Sequence, residues 1–119
     1  MTLRASEEPL FDVIAERQLD GFIEGLSTPI SVRIGRPFLD PRGDWSCPIQ
    51  IIGIGDEKIK SAGGVDAIQA MQLAMQMAGA DLKYYAQSTP ISWLGETHLG
   101  FPACSMESTG SCPYCPRNG

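Results

Sequence analysis

No apolar run in this chain approaches the roughly 18 residues needed to cross a bilayer. The opening stretch, MTLRASEEPLF, lacks the apolar centre of a secretion signal and carries Glu7 and Glu8 instead, so a cytoplasmic protein without membrane attachment is expected. Basic residues are scarce: 9 Lys and Arg stand against 14 Asp and Glu, for a formal net charge of -5. A surface for the phosphates of DNA or RNA needs clustered Lys and Arg, so nucleic acid is not an expected partner. A basic protein partner is compatible with this charge, and so is plain solubility. There is no Gly-x-x-x-x-Gly-Lys phosphate loop and no Gly-x-Ser-x-Gly nucleophile elbow. Gly53-Ile54-Gly55 runs into Asp56-Glu57-Lys58 and reads as a hairpin turn. The acidic pairs Asp40 with Asp44 and Asp56 with Glu57 lie in turn-like stretches, where solvation explains them. Trp45 and Trp93 stand alone and read as core rather than as ligand platforms.

What is present is organised around one helical pattern, Gly64 to Tyr85, GVDAIQAMQLAMQMAGADLKYY. Ala, Met, Leu and Gln are strong helix formers. Gly63-Gly64 breaks the preceding strand, and Asp66 lies in the first turn, where a carboxylate suits the free N–H groups. Steps of about 100° place Ile68, Met71, Met75, Ala78 and Leu82 on one stripe. Ala67, Ala70, Leu73, Ala74 and Met77 widen it to roughly 200°, twice what a surface helix needs. On that reading Ile68, Met71, Met75 and Leu82 are buried, and Met75→Asp unfolds the domain. The remaining edge holds Gln69, Gln72, Gln76 and Lys83, mostly uncharged. A helix facing only water more often carries Glu and Lys there. Burial on more than one side is expected, either by the C-terminal segment folding back or by a second copy or protein partner. The expected interaction residues are Gln69, Gln72, Gln76 and Leu73.

The rest reads as short strands. Phe11–Leu19 alternates in part and is a strand or a short helix; Gly21 and Gly25 punctuate the stretch beyond it. Ile30–Arg36 sets Ile30, Val32 and Ile34 against Ser31, Arg33 and Gly35. Trp45–Ile54 has Ile49 and Ile51 on one face and Ile52 and Ile54 on the other, the mark of a central strand, with Pro48 tolerable only near its start or at a bulge. Lys58–Ser61 reads as a fourth strand, and Ile91–Leu94 as a brief strand or covering loop. Consecutive strands with short connections favour an antiparallel meander, and one helix covers one face. The expected fold class is α+β: about four antiparallel strands, one long helix on one face, and an irregular C-terminal tail. The expected organisation is an N-terminal arm over 1–10, a single domain over 11–102 and a Cys-rich tail over 103–119.

The run DWSCPIQIIGIG, then GGVDAIQAMQLAMQMAG, then SWLGETHLGFP resembles a family of small bacterial proteins of unknown function. Its marks are a Trp-x-Cys-Pro strand, a Gly-x-Asp-x-x-Gln-Ala helix and a Gly-Phe-Pro ending, and the resemblance covers roughly residues 11 to 102. It supplies no established activity and no catalytic residues. Small acidic bacterial proteins of this build are often accessory or immunity proteins, an analogy from size and charge.

The remaining chemistry lies in sulfur. Of 4 cysteines, Cys47 stands alone in the third strand and reads as a buried thiol. Cys104, Cys112 and Cys115 cluster near the end, the last two flanking Pro113-Tyr114. With His98, the only histidine, they could supply a Cys3His zinc set; the alternatives are redox pairing or an unstructured tail with incidental cysteines. The Cys-Pro-Tyr-Cys string resembles a glutaredoxin active site, but the Pro116-Arg117-Asn118-Gly119 after it cannot form the helix that chemistry needs. A Cys47–His98 nucleophilic pair is conceivable without any local signature. The leading expectation is therefore a non-enzymatic interaction protein with no cofactor, working through an apolar helix or sheet face; the alternative is a small zinc- or thiol-handling protein.

Overall fold

A computed structural model describes residues 11–102. Strand β1 (Val13–Ile23) turns through Glu24 and Gly25 into β2 (Leu26–Gly35). Both turn residues have positive φ, 52° and 80°, and Ile23 pairs with Leu26, so this is a two-residue hairpin whose twist matches its strands. After β3 (Phe38–Leu39) come β4 (Trp45–Ile52), β5 (Lys60–Gly64), helix α1 (Ala67–Tyr85) and β6 (Ile91–Ser92). Every strand pairing is antiparallel. Ile49 pairs with Ile34 on one side and Lys60 on the other, and Trp45 likewise with Leu39 and Gly64. The spatial order is thus β5-β4-β2-β1-β6, with short β3 beyond β2 on the same side of β4. The α+β fold with a meander and one helix on the sheet is as the patterning implies.

Pro48 sits in the middle of central β4. Along the β2/β3 edge, β4 pairs at Trp45–Ser46 with β3 and from Ile49 onward with β2, leaving Cys47 and Pro48 in the gap between them. A missing N–H leaves no ladder bond unmade there. The Cys47 thiol fills the gap from the core side, donating to the Gly35 carbonyl at 3.4 Å.

Alternation then builds two unlike faces. Leu19, Ile30, Val32, Ile34, Cys47, Ile49, Ile51 and Ala62 meet the helix and form the core. The opposite face carries Glu16, Gln18, Ser31, Arg33 and Gln50 in register. Ser31 Oγ and Gln18 share Glu16 with Arg33, whose Nε lies 3.3 Å away. The Ser31 hydroxyl, then Arg33, hold the Glu16 carboxyl below its usual range. Its contribution to stability is present above the ordinary carboxylate pKa and is lost on acidification.

The helix differs from its expected phase. Its buried stripe is Ala70, Ala74, Ala78 and Leu82, at steps of four. Leu82 is buried as expected, Met71 and Met75 are half-buried at the margin, and Ile68 is 67% exposed. The side chains that touch the sheet are the smallest, because small residues let the helix axis approach the strands while the longer Met chains reach down either side. Met75 can therefore turn a carboxylate toward water, and the unfolding expected of Met75→Asp loses its ground. The helix begins at Ala67, not Gly64: Asp66 is the N-cap, accepting from Gln69 N at 2.8 Å, and Gly63 and Gly64 pair with Ser46 and Trp45 rather than breaking the strand.

The chain itself covers one side of the broad apolar arc. After β6 it crosses the helix side of β1, and Gly79 gives it room: a Cβ there would lie 3.0 Å from Phe101 Cβ and 3.3 Å from the Pro102 carbonyl. Arg17 is held in this crossing. Its guanidinium lies 3.9 Å from the Trp93 ring centre and 5.0 Å from that of Phe101, and Nη1 donates to the Leu99 carbonyl at 3.1 Å. Arg17→Ala is expected to cost about 1 to 2 kcal/mol, the range for a partly desolvated cation over aromatic rings. Amide exchange should rise at residues 91–101 before it rises in β4; uniform acceleration throughout would count against this anchoring role.

Candidate interaction site

Among the described residues, β5 pairs on one side only, with β4. Its outer edge therefore offers alternate backbone N–H and C=O groups. Beside it runs a groove of about 390 Å³ between the strand and the near flank of the helix, lined by Ala62, Gly63, Leu73, Gln76, Met77 and Ala80. The helical repeat sets Leu73, Gln76, Met77 and Ala80 on the β5 side of the buried alanines, while Phe101 and Pro102 occupy the other side. At the far end Lys60 Nζ meets Asp81 Oδ2 at 2.7 Å, and this bond holds the Lys60 ammonium pKa above its ordinary value. A second hollow shares Ser61 and Gly63 with the groove and includes Trp45, Gly64, Val65 and Gln69. Val65 is 83% exposed.

The expected interaction residues divide. Leu73 and Gln76 line the groove. Gln69 is occupied at the helix start: its Oε1 accepts from Val65 N at 2.8 Å while its own N–H donates to Asp66. This reciprocal bonding gives the Gly-x-Asp-x-x-Gln sequence a physical reason. Gln72 is half-buried further round the helix. Ala62, Met77 and Ala80 belong to the same groove without being singled out by the sequence, because the local pattern sets the fourth strand two residues early and does not bring its edge beside the helix.

The sulfur chemistry separates in space. Cys47 is 0% exposed, and burial pushes its thiol up to about 11. At physiological pH the raised value favours the neutral thiol, which donates to the Gly35 carbonyl. His98 is exposed in the loop after β6, where Nδ1 accepts from Gly100 N at 3.2 Å. The structure does not join Cys47 to His98. Cys104, Cys112 and Cys115 lie outside the described residues. Among the described residues no group of three His, Cys, Asp or Glu side chains is placed to hold a metal ion. In a Cys104→Ser, Cys112→Ser, Cys115→Ser background, Cys47 should resist iodoacetamide until the fold opens, with a labelling rate that tracks the denaturant dependence of unfolding. Fast labelling of folded protein would contradict its place in the core.

The fold and this edge define a two-layer α+β domain in which the open edge of β5 is flanked by an apolar helix face. The chain belongs to the DUF6968 family, a domain of unknown function, whose model matches residues 15–103. No curated protein and no solved structure matches it. No helix of the described residues is long and apolar enough to cross a membrane.

Proposed function

We propose that this is a non-enzymatic protein-interaction module that works through the β5 edge and the adjoining flank of α1. The observation that carries the reading is the groove itself: an edge strand with one partner beside Leu73, Met77 and Ala80. Strand edges of this kind bind polypeptide by main-chain pairing, and the neighbouring apolar side chains supply selectivity. The buried, neutral Cys47 supports a structural rather than a chemical role for that thiol. An accessory or immunity-like role in a bacterium is the biological setting that the size and acidity suggest. Chemical cross-linking in cells, read by mass spectrometry, should join Lys58, Lys60 or Lys83 to a second polypeptide. Leu73→Glu should remove those links while leaving cooperative melting in place. If wild-type protein forms no intermolecular link at these lysines, the reading fails.

A further inference from the structure

We infer that the polypeptide received at this edge is a second copy of the same chain, joined β5 to β5 in antiparallel register about Ala62. The inference rests on the interaction reading above and names its partner. In an antiparallel homodimer the two-fold axis perpendicular to the sheet passes through a self-opposed residue pair, so the choice of axis fixes every other pair. With the axis at Ala62, Ser61 opposes Gly63 and Lys60 opposes Gly64 of the second copy. Carried two residues past each strand end, the same register sets Ile59 beside the exposed Val65 and Lys58 beside Asp66. The charged residues thus meet opposites twice, once at each end of the seam. An axis at Ser61 instead sets Asp56 against Asp66, and one at Gly63 draws Lys60 away from Asp81, to which it is bonded at 2.7 Å.

The helix layer fits the same axis. Helix α1 packs on both β4 and β5. A helix centred over those two strands stands about one strand spacing from the seam, so its symmetry mate lies about 9 to 10 Å away, within the 8 to 10 Å of packed helices. The flanks brought together are those of Leu73, Met77 and Ala80, the residues that line the groove. Gly63 is compatible with a close seam, since a Cβ there would meet only the Trp45 carbonyl, at 3.6 Å.

Sedimentation of the full chain under reducing conditions tests this, across about 1 to 200 μM to bracket micromolar affinity. The mass should rise from 12.9 kDa toward twice that value. Amide exchange should slow with concentration at Lys60–Gly64 and on the near flank of α1. Lys58→Glu, which sets like charges at both ends of the seam, should raise the dissociation constant about threefold to tenfold. Leu73→Glu should abolish the dimer, with melting curves showing that each variant folds. A monomer over the whole range overturns the pairing, whatever covers the groove within one chain. A dimer whose protected amides lie elsewhere, or one indifferent to Lys58→Glu, overturns this register. Neither result decides the broader interaction reading, which stands or falls on the cross-links formed in cells.

Discussion

Leu82→Ala is expected to lower stability by about 3 kcal/mol, within the 2 to 5 kcal/mol typical of large-to-small changes in a core. Leu82 is 0% exposed and is the one large side chain in a contact stripe otherwise made of alanine. Its removal opens a cavity where α1 meets the sheet, and the rigid strands beneath cannot close it. For a domain of this size the melting temperature should fall by roughly 10 to 25 °C. Ile68→Ala provides the contrast. Ile68 would share an apolar stripe with Leu82 if the Met-rich face were inward, yet its side chain is largely in water, so the change should stay within about 0.5 kcal/mol. Thermal melts of the two variants therefore fix the rotational phase of the helix. Equal losses would place the inward face where Met71 and Met75 point.

Gly53→Ala should be comparably damaging for a different reason. Gly53 has φ of 103°, and a Cβ there would lie 2.4 Å from the Pro29 carbonyl oxygen and 3.2 Å from Ile30 Cα. Both obstacles are backbone, in the β2 strand that pairs with β4, so no side-chain rotation relieves the overlap. Backbone strain and overpacking together predict a loss of roughly 2 to 4 kcal/mol. Gly43→Ala isolates the conformational part: φ is 93° but nothing lies within 4 Å of the added carbon. It should cost only about 1 kcal/mol. Urea unfolding of the pair separates the two contributions, and equal midpoints would show that the Pro29 contact yields easily.

Much of this architecture is written in local patterns. Ile30, Val32 and Ile34 alternate with polar neighbours, and their strand is where that alternation places it. The helix is found from its composition because all but Gly79 of its interior suits helical geometry. Its phase is harder to read, since an apolar arc of roughly 200° leaves the inward direction loosely defined; close packing then favours the small residues, which no count of hydrophobicity would choose. The first strand is longer than its pattern suggests. Gly21 reads as punctuation, yet it lies inside β1, where a Cβ would meet Ile30 Cδ1 at 2.6 Å. The real turn, Glu24-Gly25, lacks the Asn or Asp that usually announces a tight hairpin. The candidate site is legible mostly from the helix side. Leu73 and Gln76 stand out there, while the short, lysine-bearing stretch Lys58–Ser61 hints at an edge strand without showing that its edge lies beside the helix.

The crossing over Arg17 also bears on how the chain folds as it leaves the ribosome. Arg17 lies near the start of β1, while Trp93, Leu99 and Phe101 are among the last described residues. The β1–β2 hairpin closes over two residues and can form as soon as it emerges, whereas the Arg17–Leu99 bond spans 82 positions. A nascent chain emerged only to Tyr85 has its hairpin and helix but leaves the outer edge of β1 without β6. Completion waits for the final stretch, so a stalled or truncated product ending before Ile91 lacks the β6 pairing at Asp20 and Gly21, leaves more of the β1 edge bare, and is the form most exposed to aggregation.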